Sequence, residues 1–424
     1  MADTGKIAEV MFESALETYK DQQQMVDLVY FHEPEPGKLQ NSGNVIWYPV
    51  EQNAPIISGW DVTGNEQDII EETYPAILGT PSNDFVRQRA DDLRDMRFWK
   101  RRGERSGKRQ VTELNRLIAA AIATQGSLHV RTNVTSGYAA ISLAQALMNE
   151  RELPDNERHF MFNDRDVQAY STDLAGRQTL QGRPEETWRT GQIGQNVAGF
   201  DVHVGSFMPN ITGGADPAVT VTGNHSFAPE AGSVNTTTGQ VTNVDYRVAS
   251  IVVNDSSLVS VGDKVTFENS GTAVQSLALG TQLATGQPMQ FTIIGKSDST
   301  HIEVYPKPIA ADDTSLTLTE AAYANIDTQI LDSATLTRLN TDASVKSNLF
   351  WDRDAIEVLG GDIPAELFTQ YDGMNVISDT MPNGLKMYMV FDGDISTMTF
   401  RYRLFTWWGI TVCNPQNCGV LTKY

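Results

Sequence analysis

Apolar residues recur at helical spacing from the first turns of the chain. Ile7, Val10, Met11, Ala15 and Leu16 fall close to one face, while Glu9, Glu13 and Glu17 stand one turn apart as an acidic stripe. The pattern predicts an amphipathic helix within the first thirty residues. "HEPEPGKLQNSG" then breaks it with two prolines and two glycines and reads as a linker. Over residues 44–81, strand-like "NVIWYPVEQ" and "IIEETYPAIL" flank the turn-rich "NAPIISGWDVTGN". That alternation predicts a long two-stranded arm with little core of its own.

From Phe85 the pattern turns helical, with no proline until Pro154 and an apolar face at Leu114, Leu117, Ile118, Ala121 and Ile122. "NVTSGYAAISLAQALMN" starts a second helix, with Ser136 or Thr135 as its cap. "RHFMFNDRDVQAY" reads as a short strand followed by a helix start. Composition shifts near residue 215: residues 211–330 hold only four basic side chains (Arg247, Lys264, Lys296, Lys307) among abundant Ser, Thr, Gly and Val. "DYRVASIVVND", "VGDKVTFEN", "MQFTIIGKSD" and "THIEVYPKP" are short β segments between turn signals, which predicts a small antiparallel barrel or sandwich. Helical and mixed sequence returns after Asp332, so this β unit reads as an insertion.

With 424 residues the chain has room for two or three domains. Its longest apolar runs, such as "LIAAAIA", are too short to span a bilayer. "MADTGKIAEV" carries acid where a signal peptide needs basic then apolar residues, so export is not expected. Two cysteines, Cys413 and Cys418, exclude a disulfide framework and fit a reducing compartment.

Charge changes the picture more. The formal net charge is −21, yet residues 85–109 hold ten basic side chains against Asp91, Asp92, Asp95 and Glu104, a local net of +6. On a helix, Arg87 and Asp91 would stand at i,i+4, Asp91 and Arg94 at i,i+3, and Glu104 and Lys108 in the favoured acid-first order. Mixed signs at that spacing suit a face that pairs internally or meets another charged chain. A nucleic-acid grip more often lacks the aspartates and carries stacking aromatics; Phe98 and Trp99, beside the densest basic stretch, keep a nucleic-acid-binding protein using residues 85–109 as the alternative.

No catalytic constellation emerges. The six histidines are scattered, there is no G-x-S-x-G, and no Cys/His cluster suggests a metal. "GERSGKR" resembles a phosphate loop but has three residues between its glycines and no Ser or Thr after the lysine. The sequence points to a protein that is not an enzyme and needs no cofactor.

Three stretches carry a family likeness: "NVIWYPVEQNAPIISGWDVTG" (44–64), "NDFVRQRADDLRD" (83–95) and "VAGFDVHV" (197–204). With "HIEVYPKPIAADD" (301–313), "AYANI" (322–326) and "FDGDIST" (391–397), they resemble, in order, the major capsid protein of short-tailed phages of the P-twenty-two type. The resemblance implies an α+β fold, the Hong Kong ninety-seven type of tailed-phage capsids, carrying an inserted all-β barrel-like domain. It divides the chain into an N-terminal arm (1–40), an extended β loop and its base (41–82), a peripheral domain with a spine helix (83–130), an axial domain (131–215 and 341–396), the inserted domain (216–340) and a C-terminal segment returning to the core (397–424).

The implied function is a major capsid protein of the virion. It would form hexamers and pentamers of an icosahedral head in the host bacterial cytoplasm, enclosing double-stranded DNA without sequence-specific binding. The implied partners are further copies of itself, a separate scaffolding protein, a portal protein, and decoration proteins or neighbouring capsomers met through the inserted domain, with no membrane. Expected inter-subunit contacts are Trp47, Glu51, Trp60, Asp61, Arg87, Asp91, Asp92, Arg94, Asp95, Arg97, Lys100, Arg101 and Arg102. Glu9, Glu13 and Glu17 form the expected scaffold-docking face.

Some capsids of this fold join a lysine of the extended loop to an asparagine of a neighbour. Residues 44–86 contain no lysine, and the forty or so residues before the loop are too few for a fused scaffolding segment. Denaturing gels of mature particles are therefore expected to show one full-length monomer band, and a cross-linked ladder would contradict this.

Overall fold

A computed structural model of the chain describes residues 2–32, 43–50, 53–61, 63–64, 70–89, 95–134, 136–168, 194–341, 344–363, 374–381, 384–394 and 396–423. They fall into two compact units, the first comprising Met1–Ile46, Ala76–Ile118 and Ile356–Thr411, the second Trp47–Pro75, Ala119–Ala355 and Val412–Tyr424.

In the first unit, helix α1 (Ala2–Gln22) buries Ile7, Ala8, Met11, Phe12, Ala15, Leu16 and Tyr19 and exposes Glu9, Glu13 and Glu17, as its periodicity predicts. The helix is an integral part of the core. Its seat is a notch in helix α2 (Met96–Gln125). A Cβ added to Gly103 would lie 2.3 Å from the carbonyl oxygen of Met11, and one on Gly107 would lie 2.2 Å from that of Ala15. The two glycines, one turn apart, let the helix backbones approach more closely than any side chain allows. "GERSGKR" is therefore a helix-packing notch. Asn115 closes the far end, accepting from the backbone N–H of Met25 at 3.2 Å and donating to the carbonyl of Gln22 at 3.4 Å.

The first unit also holds an antiparallel sheet of order Asn375–Thr380, Lys386–Asp394, Thr399–Thr406, Ser82–Arg89. Ser82–Arg89 is its edge, paired from Ser82↔Thr406 to Arg89↔Thr399. This corrects the helical reading from Phe85: Arg87 lies on a strand and makes no i,i+4 pair along a helix, and α2 begins only at Met96. The strand alternates half-buried and exposed residues with period two. Its inward positions include Ser82, Asp84 and Gln88, so no apolar stripe marks the period.

Helix α2 covers the inner face of this sheet. Trp99 is fully buried, edge-on to Tyr402 at 5.7 Å and Phe400 at 6.5 Å between ring centroids. Arg102 turns inward, its Nη2 2.7 Å from the Asp84 carboxylate and its Nε 3.1 Å from the Tyr402 hydroxyl. Gln110 donates to the Leu404 carbonyl at 3.0 Å.

In the second unit, the sheet order is Leu128–Thr132, Cys418–Lys423, Asn348–Asp352, Arg158–Asn163, Phe200–Gly205, Gly194–Val197. Helix α3 (Gly137–Glu150) packs on it through Ile141, Ala144 and Met148 against Phe160, Phe200 and Phe350. The Ser136 hydroxyl caps α3, accepting from the Ala139 N–H at 3.3 Å. Cys413 and Cys418 are buried, and the Cys413 thiol donates to the Asp354 carbonyl at 2.8 Å.

A separate cluster of Val219, Ile251, Val265, Phe267, Phe291, Ile293, Ile302, Val304 and Leu336 lies between antiparallel strands Ala249–Val252, His301–Tyr305, Phe291–Gly295, Lys264–Asn269 and Thr335–Arg338. Every strand read from the β-rich sequence is present. Lys264 reaches from this cluster to the end of α2, its Nζ donating to the Thr124 carbonyl (3.1 Å), the Thr292 hydroxyl (2.7 Å) and the Gly126 carbonyl. All three ammonium protons are satisfied at the negative end of a helix. Burial still pulls the pKa of Lys264 down to about 7.

Helix propensity alone would make Gly107→Ala stabilising by about 1 kcal/mol. The close approach to Ala15 reverses the sign, and chemical denaturation should show a net loss of roughly 1–3 kcal/mol from overpacking. Arg102→Gln should cost roughly 1 kcal/mol, discounted for partial exposure of its ion pair, while Arg101→Gln on the outer face stays within about 0.5 kcal/mol of the parent. Equal losses for the two arginines in the same measurement would contradict the inward placement of Arg102.

Candidate assembly surfaces

Among the described residues no group of three or more His, Cys, Asp or Glu side chains is arranged to hold a metal, and no helix is long and apolar enough to cross a membrane. The nearest approach to a chemical cluster is His159 and His203, with ring centroids 5.6 Å apart. Burial, then the neighbouring His203, drives the His159 pKa down to about 4, so it is a neutral packing residue at physiological pH. The distinctive features lie on the surface.

The outer face of α2 carries Arg97, Lys100, Arg101, Arg105, Lys108 and Arg109, all exposed. Among the described residues none of these six makes an ion pair. The pairs the helix does form are Arg102 with Asp84 and Arg116 with Glu113, at 2.7 and 2.6 Å. The expected Glu104–Lys108 pair is absent. Asp95 is used locally: its carboxylate accepts from the Arg97 N–H at 2.9 Å, just ahead of the first turn of α2. Arg87 is also engaged within the subunit, donating to the Thr397 and Thr399 hydroxyls at 3.1 and 3.2 Å. Glu51, Asp91, Asp92 and Arg94 lie outside the described residues. The aromatic pair divides, since Trp99 is buried and only Phe98 reaches solvent. One exposed ring beside six cations is a poor stacking platform for bases.

Strands Val45–Pro49 and Thr73–Ile77 pair as a two-stranded ribbon. Between them Trp60 is fully exposed and Ile56 almost so, while Trp47 is half-buried. Asp61, beside Trp60, is exposed and accepts from the Thr63 N–H (3.0 Å) and hydroxyl (2.6 Å), a local turn that fixes the loop backbone. A second arm projects at residues 230–245, where Ser233–Val234 pairs with Val241–Thr242 and Val234 stands exposed opposite exposed Val241. Apolar side chains left exposed on these two hairpins mark contact surfaces for another chain.

Sequence reasoning missed Gly103 and Gly107 as packing residues, and it missed Ile56 and Glu72. For Glu72 a signal was present. It continues the inward period-two face Glu72, Tyr74, Ala76, Leu78, an acid at an apolar position.

The chain is similar to several solved capsid structures. It matches the capsid of the cyanophage P-SCSP1u at 12% identity and a TM-score of 0.46, over 95% of this chain and 88% of that one. For the mature capsid of bacteriophage PhiM1 the values are 8% and 0.45, over 95% and 87%. For the head of Helicobacter pylori bacteriophage KHP40 they are 8% and 0.43, over 93% and 87%. The family described as P22 coat protein, gene protein 5, matches residues 1–422, and so the chain belongs to the P22 coat protein family and is a phage capsid protein.

Proposed function

We propose that this chain is the repeating subunit of an icosahedral phage head, assembling into hexamers and pentamers with the help of a separate scaffolding protein. The observation that carries the reading is the row of six exposed cations on α2 that form no ion pair among the described residues, in a subunit whose formal charge is −21. Such a row is satisfied by acidic surface on a neighbouring copy, which steers encounter and fixes register. Trp60 and Ile56 on the loop, with Trp47 at its base, supply the apolar part of the contact, and Glu51 and Asp61 its acids. The Glu9, Glu13, Glu17 stripe faces solvent and suits a basic scaffolding segment. The 230–245 arm meets neighbouring capsomers or decoration proteins, and a portal protein occupies one vertex. The head encloses double-stranded DNA that its acidic subunits do not grip. A shell at −21 per copy repels phosphate, which keeps packaged duplex mobile.

The test is assembly in vitro with the scaffolding protein, followed by electron microscopy. The triple variant Arg97→Gln, Lys100→Gln, Arg101→Gln should give broken or aberrant shells before any DNA enters. Normal empty shells that fail only at packaging would transfer the cations to DNA. Glu13→Lys should slow scaffold-assisted assembly while leaving the monomer folded, and an unchanged rate at low and high salt alike would remove the acidic stripe from the scaffold interface.

A further inference from the structure

Both exposed arms are rooted in the second unit around two buried cations, Arg247 and Lys307. On the exit side of the extended loop, the Ile70 carbonyl accepts from the Tyr323 hydroxyl at 3.4 Å, and the Thr73 hydroxyl donates to the Val244 carbonyl at 3.3 Å. Tyr74 lies 5.2 Å beneath the Arg247 guanidinium. On the entry side, the Val50 N–H donates to the Glu72 carbonyl at 3.0 Å. Val50 and Asn53 help line a cavity of about 90 Å³ together with Tyr246, Arg247, Lys307 and Tyr323.

Glu72 belongs to this root and is anomalous. It is 2% exposed, and neither carboxylate oxygen has a hydrogen-bond partner among the described residues. Lys307 is the cation that acts on it, and Glu230 is the nearby acid. Lys307 is 5% exposed, its Nζ 3.1 Å from Oε1 of Glu230, a side chain 55% exposed at the start of the 230–245 arm. Arg247 is not available to Glu72. Asp245, at the other end of that arm, holds it through both oxygens at 2.8 and 2.9 Å, and it also donates to the Val412 carbonyl. Among the described residues, the phenols of Tyr246 and Tyr323 also feel Glu72, and both are shifted above their ordinary range, first by burial.

We propose that Lys307 is a shared counter-ion that couples the root of the extended loop to the root of the 230–245 arm. When Lys307 pairs with Glu230, Glu72 is neutral and the charges balance. When Glu72 ionises, a buried carboxylate without a partner is too costly to persist, and Lys307 turns inward. Glu230 is then released and the arm it anchors loosens. A displacement of either root does the same by changing which carboxylate the ammonium reaches. That the two arms are assembly contacts rests on the proposed capsid function; the coupling within one subunit does not.

Burial, partly offset by Lys307, pushes the Glu72 pKa up to about 8. The sign follows from proton linkage. The folded chain retains a proton that an unfolded glutamate loses near its ordinary pKa of about 4.3, so stability falls as pH rises from there to about 8 and levels off above it.

Hydrogen exchange of the unassembled full-length chain tests the coupling, with every variant compared to the parent at the same pH so that intrinsic exchange rates cancel. Between about pH 6 and pH 9 the parent should lose protection at residues 230–247 by about threefold relative to Glu72→Gln, although that substitution lies in the other arm. Lys307→Met should show loosened exchange there, equal at both pH values, and provides the same contrast should Glu72→Gln fold poorly. A pH-dependent rise that survives in Glu72→Gln, or no rise in the parent, would overturn the proposal. Because the measurement needs no assembly, failure to form shells would sink the capsid reading of the arms and leave this result standing.

Discussion

The structure of the first unit depends on how α2 divides its circumference. Gly103 and Gly107 take the backbone of α1, Trp99, Arg102 and Gln110 take the sheet, and only the third face is left for Arg97, Lys100, Arg101, Arg105, Lys108 and Arg109. Two faces of the helix are fixed by packing, so these six side chains stay on the outer one. Their exposure is thus a consequence of the close approach between α1 and α2. A bulkier notch would lift α1 away at Met11 and Ala15, both fully buried and both facing the glycines.

What could be read from the sequence followed local periodicity, and what could not depended on distant partners. The face of α1, the Ser136 cap and the strands of the β cluster each announce themselves within a short window of residues. Ser82–Arg89 does not. Its partner Thr399–Thr406 is some three hundred positions away, and its polar inward residues gave no strand signal. The run of arginines looked helical because charge is common on helices. The spacing of Gly103 and Gly107 was visible but uninterpretable without knowing that a second helix passes over it.

The candidate surfaces divide in the same way. Exposure of Glu9, Glu13, Glu17, Arg97, Lys100 and Arg101 follows from helical period alone. Arg102 sits one position from Arg101, yet the 100° turn between them places it against Asp84. Asp95 is expected at a subunit contact, and within the subunit its carboxylate accepts from the backbone of its own helix. Lys307 gave no signal at all, because its interest comes from Glu72 and Glu230, which are brought to it by two separate arms.

A shell built from many copies needs contacts that are specific and individually weak, since a misplaced subunit must be able to leave. The two kinds of surface meet these needs differently. An exposed ion pair contributes roughly 0–1 kcal/mol and is screened by salt, so the α2 row can select orientation without locking it. Burying an exposed side chain such as Trp60 or Ile56 contributes roughly 1.5–3 kcal/mol and does not weaken in salt. On the proposed capsid function, the salt-screened and the salt-insensitive contacts would act as two steps. Long-range charge would align the subunits first, and the apolar side chains would then close on a partner already in register. A shared counter-ion at the roots of both arms would make the second step cooperative, because seating one arm alters the hold on the other before any further copy arrives.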